Sequence, residues 1–154
     1  MKLSLKKVLK SLINEWGEKM KITQETDYAL RILLFLSKLG EGYKVDAKTI
    51  SETEGVTLRF TLKILRKLTI SKIVVSFRGV NGGYALNNDP AKINMKEVIE
   101  AIEGPIYFNK CLDSQSNCNL SRSLSCKLHK TFSEIQDKIV KEFENTSLRE
   151  ILNK

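Results

Sequence analysis

The chain has 154 residues, 42% hydrophobic and 29% charged, which is enough for one domain with an extension and a real core. Its net charge of +8 and pI near 9.4 suit a polyanionic partner, nucleic acid first and an anionic membrane second. Three cysteines, an odd number, argue against a pure disulfide scaffold, and no apolar run reaches the ~18–20 residues of a membrane span.

Residues 1–19 read as an extension. Leu5, Val8, Leu9, Leu12, Ile13 and Trp16 recur at helical spacing with lysines on the other face, which suits an amphipathic helix for a membrane surface or a partner. A simpler reading is favoured. Trp16-Gly17-Glu18 must be encoded TGG-GGN-GAR, a purine-rich run resembling a ribosome-binding site just ahead of Met20. The expected start is therefore Met20. The first nineteen residues carry +3, which leaves +5 on the rest. Lys6, Lys7 and Lys10 break any signal-peptide core and no small-residue cleavage site follows. The expected compartment is the cytoplasm, where thiols stay reduced and clustered cysteines more often hold metal.

From Thr23 the apolar positions Ala29, Ile32, Leu33 and Leu36 predict a helix that Gly40 ends. Tyr43 to Val45 is a short extended piece. Asp46 caps a second helix to Glu54, which Gly55 closes, and Thr57 caps a third helix to about Ser71. Two β-like runs, 73–77 and 84–86, flank the glycine-rich loop Arg78-Gly79-Val80-Asn81-Gly82-Gly83. Three helices and a basic hairpin make a winged helix–turn–helix, so the expected fold class is mainly α with a small β-hairpin wing. On the third helix Arg59, Lys63 and Arg66 recur at i, i+4, i+7 and share a face, opposite a core stripe of Phe60, Ile64, Leu65 and Leu68. Such cations neutralise phosphates, and arginine also pairs with guanine. Arg78, on a slender loop with three glycines, suits a minor groove.

Asn94 and Glu97 form a capping pair for a fourth helix ending near Gly104-Pro105. Residues 109–127 are polar and read as a loop. A long last helix starts near Lys127, with Leu128, Phe132, Ile135, Ile139 and Phe143 as one apolar stripe, and Thr146 is placed to cap a final turn. The expected organisation is 20–90 for DNA binding, 91–108 as a connecting helix, 109–127 as a cysteine loop and 128–154 as a dimerisation helix and tail.

All three cysteines and the chain's one histidine fall within 111–129, spaced Cys111-x6-Cys118-x7-Cys126-x2-His129. Thiolates and neutral imidazole are soft ligands for zinc or iron–sulfur clusters. There is no C-x2-4-C knuckle of the structural zinc kind. Ligands strung along an open loop suit an iron–sulfur cluster instead. A disulfide between two of these cysteines is the redox alternative. One histidine and no converging acid–base pair leave little for catalysis, so no enzyme activity is expected.

From Met20 to about Leu152 the chain resembles the Rrf-type bacterial transcription regulators. The shared marks are Met20-Lys21-Ile22-Thr23, Thr26-Asp27-Tyr28-Ala29-Leu30-Arg31, the wing Arg78-Gly79-x-x-Gly82-Gly83-Tyr84, the helix around Glu97 to Ile102, and three clustered cysteines. The resemblance implies a homodimer joined by the last helix on a near-palindromic DNA operator; repression is the expected action, with activation the open alternative. The expected DNA contacts are Thr57, Arg59, Leu62, Lys63 and Arg66 from the helix, and Arg78, Asn81, Gly82 and Gly83 from the wing. The resemblance also implies that Cys111, Cys118 and Cys126 hold a [2Fe-2S] or [4Fe-4S] cluster that senses redox state, nitric oxide or iron–sulfur status. The fourth ligand is either His129 or Asp27 of the partner subunit. Two departures stand out: the x6 and x7 cysteine spacings exceed the usual x5 and x5, and Leu62 and Lys63 replace polar readers of cluster-assembly members. A cluster-free regulator of the same fold, controlled by a partner enzyme or thiol oxidation, is the alternative.

Overall fold

The computed structural model describes residues 22–40, 42–114 and 118–154. The expectations for residues 1–19 lie outside this set. Two compact units emerge: Ile22–Ile106 with Ile135–Lys154, and Tyr107–Glu134.

The larger unit begins with α1 (Gln24–Leu39), entered at Thr23, whose hydroxyl accepts the Thr26 N–H at 3.4 Å. Its stripe Ala29, Ile32, Leu33 and Leu36 is buried, as the periodicity predicts. Helix α2 (Ala47–Glu54) starts where the Asp46 carboxylate accepts the amides of Lys48 and Thr49, each at 3.0 Å, and stops at Gly55 in the left-handed region, φ 64°. Helix α3 (Leu58–Ile70) follows at once. Thr57 stands at its N-cap, but its hydroxyl makes no capping bond, so this helix start owes its stability to packing. Ile64, Leu65 and Leu68 are fully buried, worth roughly 1.5–3 kcal/mol each.

Strands β1 (Val74–Phe77) and β2 (Gly83–Leu86) form the antiparallel hairpin, with Val74 opposite Leu86 and Phe77 opposite Gly83. The extended piece before α2 joins them. Val45 donates to Tyr84 O at 3.0 Å and accepts from Tyr84 N at 2.8 Å, so β2 is bonded on both sides. Helix α4 (Met95–Glu103) has the full capping box from Asn94 and Glu97 and ends at Gly104.

In the smaller unit the segment read as a loop contains, among the described residues, two short pieces: α5 (Lys110–Asp113) and a 3-10 turn at Ser123–Ser125. Four and three residues are too few for a helical period to register in sequence. Helix α6 (Lys127–Asn145) begins in this unit and ends in the larger one. Helix α7 (Leu148–Leu152) closes the chain.

Thr146 does not cap α7. Its hydroxyl donates back to Glu142 O at 2.8 Å, while Ser147 makes the capping box with Glu150. Ser147 can do so because the chain is extended there, bridged to Asn94. Met95 N donates to Thr146 O and Leu148 N to Ile93 O, both at 2.9 Å. This bridge drops Leu148 into the core, fully buried. Ser147→Ala is expected to lower stability by about 1 kcal/mol in denaturant melts. Thr146→Ala is expected to change it by less than half as much. Equal losses would mean that the cap is misassigned.

Candidate nucleic-acid interface and cysteine segment

A helix–turn–helix presents a face only if the opposite face is anchored. Thr61, Ile64, Leu65 and Leu68 anchor α3, and Val56 in the turn from α2 is buried too. That leaves Arg59, Leu62, Lys63 and Arg66 exposed, along with Thr57 at the helix start. On the wing Arg78 and Asn81 are exposed. Among the described residues Arg59, Arg66 and Arg78 have no carboxylate partner, so their full charge is available to a polyanion.

The wing glycines have steric duties. A Cβ at Gly82 would lie 2.4 Å from Phe77 O, and one at Gly83 would lie 2.9 Å from Val45 O. Both residues let backbones close up: Gly82 in the turn that its amide closes on Gly79 O at 2.9 Å, Gly83 against the backbone of Val45. Lys44 adds a cation over the Phe77 ring at 4.4 Å.

Lys63 differs from the arginines. Its Nζ lies 2.8 Å from Glu25 Oε2, on the first turn of α1, and 5.3 Å from the centre of the Phe60 ring. Lys67, one turn on, lies 2.8 Å from the other Glu25 oxygen and donates to Ile102 O at 2.8 Å. Nearby, Glu103 accepts from the hydroxyls of Thr23 and Thr26. Glu25 is only 16% exposed. Burial pushes its carboxyl up, but the hydrogen bonds and charges of Lys63 and Lys67 outweigh this and hold it below the usual range. Glu25, Lys67 and Glu103 were missed from sequence. Only the i, i+4 relation of Lys67 to Lys63 offered a signal.

In the cysteine segment, Cys111 sits on α5, Cys126 ends the 3-10 turn and His129 lies on the first turn of α6. All three thiols are free. Among the described residues no three of His, Cys, Asp and Glu converge closely enough to hold a metal ion. Two atoms nonetheless carry donor character. Backbone amides of Arg122 and Leu120, with the Ser123 hydroxyl and the Ser121 amide, hydrogen-bond the Cys118 sulfur and lower its pKa. His129 Nδ1 is buried with no hydrogen-bond partner. Asp27 lies in the other unit, exposed, 4.0 Å from Arg31.

A basic helix–turn–helix rooted in a small helical core and flanked by a bonded hairpin defines a winged-helix transcriptional regulator. The chain belongs to the Rrf2 family: residues 22–154 match its model, described as an iron-dependent transcriptional regulator. It is 35% identical over 98 residues to the HTH-type transcriptional regulator NsrR of Bacillus subtilis, covering 64% of this chain and 67% of that one. A Listeria innocua protein assigned as a transcriptional regulator superposes with TM-score 0.72 at 26% identity over 88% of both chains. CymR, the global cysteine regulator of B. subtilis, superposes at 0.65 and 22% identity, over 87% of this chain and 97% of that one. These relatives are regulators, not enzymes, and the protein acts by binding DNA.

Glu25→Gln is expected to cost about 1–2 kcal/mol at pH 7, since it removes the charge that hydrogen-bonds Lys63 and pairs with Lys67 at a mostly buried site. Because the folded carboxyl titrates below the ordinary 4.5, the stability it adds is complete above that value and lost as pH falls through the folded one. Urea melts should therefore show the two proteins converging below pH 4.5, not above it. In cluster-free protein, iodoacetamide should label Cys118 with a pH midpoint below the ordinary thiol value of 9.0.

Proposed function

We propose that the protein is a cytoplasmic, homodimeric repressor whose grip on its operator depends on an iron–sulfur cluster. Residues 20–90 bind DNA, 91–108 connect, 109–127 hold the cluster and 128–154 dimerise. On the DNA, Arg59 and Arg66 neutralise phosphates or pair with guanine, Leu62 offers an apolar contact, and Thr57 approaches the backbone at the helix start. Arg78 and Asn81 enter a groove beside a loop that Gly82 and Gly83 keep thin. Lys63 joins the same face.

The observation that carries the cluster assignment is the donor chemistry of the cysteine segment. Cys111, Cys118 and Cys126 are free thiols, and hydrogen bonds from backbone amides and the Ser123 hydroxyl lower the pKa of Cys118. His129 holds an unsatisfied, buried ring nitrogen beside them in sequence. His129, or Asp27 of the partner subunit, completes the set. A [2Fe-2S] or [4Fe-4S] cluster supplies a centre that oxidants, nitric oxide or iron shortage destroy. The chain's own part is to order 109–127 around it and so settle the start of α6.

The dimer reading rests on α6, whose stripe leaves Leu128, Phe132 and Ile135 exposed by 68%, 39% and 42%. A run of this kind on one helix face fits a second copy of itself. A second reading has its own support. A lowered thiol pKa suits direct oxidation of Cys118, with no cluster involved.

Anaerobic purification with iron and sulfide analysis separates the two. The expected protein is brown, and loses colour when Cys111, Cys118 and Cys126 are replaced by Ala. Its operator affinity is expected to change about 5–150-fold on cluster loss, the range of ordinary allosteric coupling. A colourless anaerobic protein, or equal affinity with and without cluster, overturns the proposal. In the colourless case, an affinity change on mild oxidation would favour the thiol reading.

A further inference from the structure

Two lysines share one carboxylate at the edge of the DNA-facing helix, and they are not equivalent. Lys67 is tied twice, to Glu25 Oε1 and to Ile102 O, both at 2.8 Å, and its side chain is 33% exposed. Lys63 is tied to Glu25 Oε2 alone at 2.8 Å and is 54% exposed. If Lys63 leaves, Glu25 keeps Lys67 and is not stranded as a buried, unpaired charge. The usual heavy penalty for breaking a buried pair is therefore avoided. Lys67 cannot leave without freeing the Ile102 carbonyl as well.

We infer that Glu25 is a specificity-determining residue that holds Lys63 in reserve, releasing it to the DNA only when α3 is fully seated on the operator. On non-specific duplex α3 rests at a distance, and Lys63 stays with Glu25. The protein then meets arbitrary DNA with one cation fewer per subunit. On the operator, close seating brings Lys63 within reach of phosphate, and the exchange of one anion for another costs little. Glu25 thus lowers non-specific binding without lowering operator binding to the same degree. Affinity for arbitrary DNA is almost wholly electrostatic, so masking one lysine there raises selectivity.

The inference rests on α3 facing DNA, and the test keeps the two apart. The full chain, in one defined cluster state, is titrated at several salt concentrations with two probes. One is a short duplex enriched from a random pool for tight binding. The other is a shuffled duplex of equal composition. Glu25→Gln is expected to tighten the shuffled duplex about 3–10-fold and steepen its salt slope by about one unit per freed lysine, with operator affinity within about 3-fold. Adding Lys63→Ala should erase that gain. Lys63→Ala alone, at an exposed position that folding tolerates, should weaken the operator and leave the shuffled duplex unchanged. An unchanged shuffled-duplex affinity in folded Glu25→Gln protein sinks the inference, as does Lys63→Ala weakening both duplexes equally. If Arg59→Ala and Arg66→Ala also leave operator binding intact, the failure lies instead in the assignment of α3 to the DNA.

Discussion

The anchoring of α3 governs everything the molecule presents. Thirteen residues of helix are marginal in isolation, and this one starts without a side-chain cap. Its stability comes from one buried face set among Ala29, Ile32 and Leu33 of α1, Val98 and Ile102 of α4, and Leu148. With 3.6 residues per turn, burying positions 61, 64, 65 and 68 dictates that 59, 62, 63 and 66 look outward. The exposed face of α3 is the complement of the core.

Charge on that surface comes in two kinds. Arg59, Arg66 and Arg78 are exposed and unpaired among the described residues, and attract any polyanion alike. Lys63 and Lys67 are pinned by a carboxylate that is nearly buried, where the local dielectric is lower and pairing stronger than at the surface. Net charge alone hides this distinction. A count of +8 treats a guanidinium at the wing and an ammonium locked to Glu25 as equal. Only the geometry tells how much of the positive charge is free.

Local signals were legible in the sequence wherever a residue acts on its own neighbours. Asp46 and Gly55 bound α2, Asn94 with Glu97 opened α4, and Gly40 and Gly104 closed helices, because caps work within four residues. What escaped was set by distant partners. The Glu25–Lys63 pair spans 38 residues and the Glu103–Thr26 bond 77, with no periodicity to announce them. The cap of α7 went to Ser147 rather than Thr146 because the bridge to Asn94 shifts the helix start by one residue. The bridge from Val45 to the wing was visible only as an extended piece, since nothing local in Val45 names Tyr84 as its partner. The cysteine pattern was plain, but spacing gives the donors and not their arrangement.

The placement of α4 links these observations. At its first turn Lys96 pairs with Glu144 at 2.6 Å, and the backbone just before it is bridged to residues 146–148. At its last turn Ile102 O accepts from Lys67 of α3, and Glu103 holds the hydroxyls that open α1. Nine residues of α-helix span roughly 13 Å and behave as one stiff body. The end of α6 and helix α3 therefore grip opposite ends of the same short rod. Leu148, buried beneath the bridge, keeps the α6 end from sliding independently. A displacement of the last turn of α6 must either break the 2.6 Å pair or tilt α4. A tilt of α4 acts directly on the carbonyl that holds Lys67, and so on the carboxylate that Lys67 shares with Lys63.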